Sequence, residues 1–167
     1  KYGYISQRNR IFAQAKDIDS KDHLINAAYK MDVGTIAAYG YLLEVDNNTE
    51  NSLDTYGLRF NGSSVMGKQK LSYTVEYANQ DAETATTSYS ADYIFAELGT
   101  KFSDISIKVG YELLGSDDGM YGFSTPLATL HKFNGWSDQF LNTPKEGLSD
   151  LYASVGGKIA GGKWAIV

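Results

Sequence analysis

The stretch "QKLSYTVEYANQ", Gln69 to Gln80, decides the fold. Leu71, Tyr73, Val75 and Tyr77 recur at every second position, and Lys70, Ser72, Thr74, Glu76 and Gln80 fill the positions between them. Side chains alternate across a strand with period 2, whereas a helix would bring residues three and four apart together. The segment therefore predicts a strand with one apolar and one polar face.

The same rule runs along the chain. In "HLINAAYKMD" the odd positions Ile25, Ala27, Tyr29 and Met31 are apolar, against Asn26, Lys30 and Asp32. In "TIAAYGYLLEV" Ala37, Tyr39, Tyr41, Leu43 and Val45 share a face that excludes Glu44. In "DTYGLRFNG" Tyr56, Leu58 and Phe60 oppose Thr55, Arg59 and Asn61. In "ISIKVGYELL" Ile105, Ile107, Val109, Tyr111 and Leu113 oppose Ser106, Lys108 and Glu112. In "SDLYASVGGKI" Leu151, Ala153, Val155 and Ile159 oppose Asp150, Ser154 and Lys158. One run breaks the rule: "SYSADYIFAELGTKF" places Tyr89, Ala91, Tyr93 and Phe95 together, and Glu97 then lands among them. A bulge near Ala96 would restore the alternation and is the expected solution.

The connections alternate long and short. They are expected at Ser6 to Lys21, Val33 to Gly34, Asp46 to Leu53, Ser63 to Lys68, Asp81 to Ser88, Ser103 to Asp104, Gly115 to Gly147, and Gly161 to Gly162. Successive antiparallel strands put alternate connections at opposite ends, so the long ones gather at one end. Bacterial outer-membrane barrels have this pattern. Lys1 to Ile5 and Lys163 to Val167 read as two more strands, giving nine, whereas single-chain bacterial barrels usually have an even number. The expected fold is all-β: a transmembrane antiparallel up-and-down β-barrel, residues 1–167 forming a single segment of a larger barrel with a long outer loop at about 115–147.

Composition narrows the function. The chain has 13 Tyr, 7 Phe, 17 Gly and no Cys, which removes disulfides and thiol chemistry. Fifteen basic against twenty acidic residues, a net charge of -5, argue against nucleic acid as a partner. No run approaches the roughly 20 apolar residues of a membrane-crossing helix, but barrel strands need none, since only alternate residues meet lipid. The chain starts without Met or a secretory leader, which fits a mature or trimmed product. A soluble barrel with its apolar faces inward is the competing expectation. Charges of both signs near strand centres (Lys30, Arg59, Glu76, Lys108) and tyrosines on the apolar runs (Tyr29, Tyr39, Tyr41, Tyr73, Tyr77, Tyr89, Tyr93) favour a water-filled lumen with aromatic girdles.

The most specific run, "FSTPLATLHKFNGWSDQFLNTPKEGLSDLY", Phe123 to Tyr152, resembles a signature of the alginate-export type of Gram-negative outer-membrane porin. "TYGLRFNG", "YTVEYANQ" and "GYELLG" are weaker echoes. The resemblance implies an outer-membrane location, contact with outer-membrane lipid and lipopolysaccharide, and passage of a small hydrophilic or charged solute, such as an anionic saccharide, by diffusion. It implies no cofactor. A conduit for a polyanion should be lined by Arg and Lys. The polar faces carry Lys30, Arg59, Lys70, Lys108 and Lys158 against Asp32, Glu44, Glu76, Asp92, Glu112 and Asp150, which gives no anion bias.

The expected pore-lining residues are Lys30, Arg59, Lys70, Glu76, Lys108, Glu112 and Asp150. The long loop, with Pro126 and Pro144 unable to donate ladder hydrogen bonds, is expected to fold inward as a constriction through His131, Lys132, Phe133, Trp136, Asp138 and Phe140. No nucleophile elbow or metal spacing surrounds the Ser, Asp and His residues, so no catalytic or metal residue is assigned and an enzyme is not expected. "SDDGMYG", Ser116 to Gly122, lacks EF-hand spacing and reads as an acidic outer loop rather than a calcium site. A barrel with a structural or adhesive role is a further alternative to a channel.

Overall fold

The computed structural model describes residues 1–9, 14–46, 51–67, 69–127, 140 and 142–167. Nine strands form one antiparallel sheet: β1 (Tyr2–Arg8), β2 (Ile18–Met31), β3 (Gly34–Val45), β4 (Asn51–Met66), β5 (Gln69–Glu83), β6 (Ser88–Phe102), β7 (Ile105–Leu114), β10 (Leu148–Ile159) and β11 (Gly162–Ile166). Each pairs with its neighbours in chain order, and β1 and β11 stand at the two ends. A small hairpin, β8 (Ser116–Asp117) and β9 (Tyr121–Gly122), forms a second sheet inside the connection between β7 and β10.

The long-short alternation is present. The connections after β2, β4, β6 and β10 are two-residue turns, and those after β1, β3, β5 and β7 are longer. At the last short turn Ala160 (φ 49°) and Gly161 (φ 82°) are both left-handed, the turn twist that matches paired strands. The strands reach further into the connections than expected. β4 continues to Met66 and β5 to Glu83, because their alternating residues keep pairing past Ser63 and Asp81.

Cross-strand partners share a face, so the register assigns every residue. Ala28, Ala37, Arg59, Glu76, Phe95, Glu112 and Asp150 lie in one continuous row from β2 to β10. Their face is here called the charged face. The other carries Ile25, Leu58, Val75, Tyr77, Leu98, Ile107, Val109 and Leu151, all exposed, and is called the apolar face.

Three expectations change. The registers of β5–β6 and β6–β7 run without a break through Ala96, so there is no bulge there. Tyr89, Ala91, Tyr93, Phe95 and Glu97 lie together on the charged face, and Ile94, Ala96 and Leu98 form the apolar one. Tyr39, Tyr41 and Leu43 of β3 likewise share the charged face with Arg59 and Glu76, so Tyr39, Tyr41, Tyr89 and Tyr93 do not belong to an aromatic girdle on the apolar side. Glu44 and Asp92 sit on the apolar face, near the long-connection end, and Asp32 lies in a turn.

The core is small. Ala78, Ala91, Leu114 and Phe123 form its buried centre, with Tyr39, Tyr93, Tyr121 and Leu148 packed against it. It lies between the charged face and the segment after β9, so the nine-stranded apolar face has no cover among the described residues.

At the long-connection end the apolar face turns acidic, with Glu44, Asp54, Asp81, Glu83 and Asp92. Partial burial, and then the neighbouring Glu83, Asp81 and Glu44, raise the Asp54 carboxyl above its usual value. A carboxyl raised in the folded state destabilises the fold while it is ionised, and the loss disappears as the pH falls through its folded value toward the unfolded one near about 3.9. Asp54→Asn should therefore raise the thermal midpoint at pH 7, with the gain fading by about pH 4. Paired melting curves at the two pH values check this, and a pH-independent gain would assign the effect to packing instead.

Candidate functional site: the charged face

All seven residues expected to line a pore fall on the charged face. Lys30, Arg59, Lys70, Glu76, Lys108, Glu112 and Asp150 come from five strands, β2, β4, β5, β7 and β10, and the register places them on one side. Phe140 is half-buried. His131, Lys132, Phe133, Trp136 and Asp138 lie outside the described residues.

The middle of this face is a network of tyrosines, carboxylates and two cations. Arg59 Nη1 donates to Glu76 Oε2 at 2.8 Å, and Tyr39 Oη donates to Glu76 Oε1 at 2.7 Å. Lys108 Nζ donates to Glu97 Oε1 at 3.0 Å, and Tyr152 Oη to Glu97 Oε2 at 2.8 Å. Tyr93 Oη donates to Glu112 Oε1 at 2.7 Å. Each carboxylate thus holds a tyrosine from another strand, and charge-assisted bonds of this kind are the stronger class. Two of the tyrosines fold over glycines of the adjacent strand: Tyr39 covers Gly57 and Tyr152 covers Gly110, where any Cβ would meet the ring.

Glu97, Tyr39, Tyr93 and Tyr152 were not among the expected site residues. The signal for them was present: Glu97 shares the parity of Tyr93 and Phe95, and a tyrosine has a polar tip as well as an apolar ring. Reading tyrosine as apolar hid the match.

Lysines gather at the short-turn end of the same face. Lys30, Lys70, Lys101, Lys158 and Lys163 each stand within two or three residues of a short turn. Lys70 faces Lys101 directly across β5–β6, and Lys158 faces Lys163 across β10–β11. Directly opposed like charges destabilise a sheet, so this collar is not explained by folding.

At the other end the chain after β7 turns back over the face. Asp118 (φ 47°) and Gly119 (φ 73°) make the tight turn of the β8–β9 hairpin. Asp117 Oδ2 accepts from the Ser90 backbone N–H at 3.0 Å, so the acidic "SDDG" run is a docked hairpin. The segment is then fixed by one buried side chain. Gln80, 2% exposed, accepts on Oε1 from Tyr121 Oη at 2.6 Å and from the Ser124 N–H at 2.7 Å. Its Nε2 donates to Thr55 Oγ1 at 2.8 Å and to the Ser124 carbonyl at 3.0 Å. Phe123 drops beside Tyr93, ring centroids 5.4 Å apart. Between this segment and the strands lies a cleft of about 490 Å³.

A second anchor holds the β1 edge. Arg8 donates from Nε and Nη2 to Asp22 at 2.7 and 2.5 Å, and the carboxylate, fully buried, also accepts from Ser20 Oγ and the Glu44 N–H.

No protein-family model matches the chain, and no curated protein or solved structure matches it.

Proposed function

We propose that the chain forms part of the wall of an outer-membrane channel of a Gram-negative bacterium, in which the charged face lines a hydrated lumen and the apolar face meets lipid. Small hydrophilic or charged solutes would cross by diffusion. The observation that carries this reading is the inversion of the two faces: large hydrophobic side chains stand exposed on one side of β2, β4, β5, β6, β7 and β10, and ion pairs occupy the other. In water such a surface would be an aggregation hazard, and in a bilayer it is the required one.

Dimensions support the reading. The apolar run of β6, Ile94 to Phe102, spans about 27 Å along the strand, or roughly 21 Å along an axis tilted by ~40°, close to the ~25 Å band of outer-membrane barrels. Tyr29, Tyr56, Tyr73, Tyr77 and Tyr111 stand on the apolar face, as interfacial aromatics do. The acidic rim would lie beyond the band, at the lipopolysaccharide side, and the lysine collar at the periplasmic mouth. A soluble barrel would require the opposite orientation of the faces.

Planar-bilayer recording of the full-length protein tests the proposal. Discrete, ohmic conductance steps are expected. Membranes that stay silent after verified insertion would remove the channel and favour a structural or adhesive barrel.

A further inference from the structure

The cleft between the charged face and the Phe123–Leu127 segment combines three features that select a ligand. Its volume, about 490 Å³, falls in the range of about 300–1,000 Å³ of small-molecule sites. One wall carries a stacked aromatic pair: Tyr39 and Tyr41 lie with ring centroids 5.0 Å apart and planes 25° from parallel, and both line the cleft. The polar groups are few and fixed: Arg59 is held by Glu76, Glu76 also by Tyr39, and Glu112 by Tyr93. The roof is fixed too, through Gln80, so little ordering entropy is left for a ligand to overcome.

We propose that this cleft binds a neutral polyhydroxylated ring, a saccharide unit, as a solute subsite. The proposal rests on the channel reading for how the solute arrives. The charge excludes the other classes. Two carboxylates against one guanidinium disfavour an anion, and Arg59 stands against a compact cation. A wholly apolar ligand would strip water from Arg59 and Glu76 and return no hydrogen bond. A pyranose ring meets both demands: its C–H face lies on the Tyr41 ring, and its rim hydroxyls donate to carboxylate and accept from guanidinium, the stronger charge-assisted kind of bond. Tyr41 is the aromatic platform most open to it, at 37% exposed.

The test is calorimetric titration of the full chain in detergent micelles with maltose, and with glucuronate as the charged comparison. Saturable, weak maltose binding is expected, tighter than that of glucuronate. Tyr41→Phe should keep it, and Tyr41→Ala should weaken it by about tenfold, the loss of a stacking contact of roughly 1.4 kcal/mol. A wild-type chain that binds no maltose, binds glucuronate more tightly, or binds maltose equally well as Tyr41→Ala overturns the proposal. The titration involves no conduction: a chain that binds maltose yet never conducts sinks the channel alone, and one that conducts without binding sinks the subsite alone.

Discussion

Replacing Gln80 with Leu is expected to release the segment that crosses the charged face and to lower stability by about 3 kcal/mol. Leucine nearly matches glutamine in volume, so the packing against Ala78 and Ala91 changes little. What changes is polar. Gln80 serves Thr55, Tyr121 and Ser124 at once, and removing it leaves the buried Thr55 and the half-buried Tyr121 and Ser124 without that partner. Each buried donor or acceptor left unpaired costs roughly 1–3 kcal/mol, and local solvation on release of the segment recovers part of the sum. The channel reading adds a second effect, since the freed segment no longer narrows the lumen: unitary conductance should rise. Denaturant titration and single-channel recording of Gln80→Leu check the two effects. Unchanged stability would show that the Gln80 hydrogen bonds contribute nothing net, and unchanged conductance would place the narrowest point elsewhere.

The second large effect is an asymmetry between faces. Leu98 stands on the apolar face, midway along the band of β6, and Thr74 stands on the charged face directly opposite Glu97. An Arg at a lipid-facing midplane position of a barrel costs roughly 2–4 kcal/mol. Leu98→Arg should therefore cost that much when the protein folds into lipid vesicles. Thr74→Arg introduces the same side chain one strand away, where Glu97 supplies a carboxylate, and should cost less than about 1 kcal/mol. Equal costs for the two variants would contradict the assignment of lipid and water to the two faces.

Much of the architecture is legible in the sequence because period 2 is a strong signal wherever residue classes are clean. "QKLSYTVEYANQ" and "ISIKVGYELL" assign their faces correctly by simple alternation, and the long-short spacing of connections follows directly. The failures share one physical cause. In β3 and β6 both faces carry apolar atoms, and tyrosine serves the charged face through its hydroxyl while looking hydrophobic in composition. Glu97 is the marker: its parity with Tyr93 points to the charged face without the bulge expected near Ala96. Only the register, through Phe95 between Glu76 and Glu112, settles it. The lysine collar was half legible, since Lys30, Lys70 and Lys158 stood out, but the opposition of Lys70 to Lys101 depends on pairing across strands. The Gln80 anchor was beyond reach, because Gln80 meets Ser124 and Tyr121 from more than forty residues away and no local pattern encodes that meeting.

The most direct measurement is site-directed spin labelling along β6. The chain has no cysteine, so single cysteines at positions 94 to 99 can be labelled without background. In lipid bilayers the labels at 94, 96 and 98 should be reached by oxygen, which concentrates in the hydrocarbon, and those at 95, 97 and 99 by a water-soluble nickel complex, in strict alternation. Uniform accessibility to the nickel complex at all six positions, or alternation of the opposite sense, would contradict a sheet that turns its apolar face to lipid and its charged face to water.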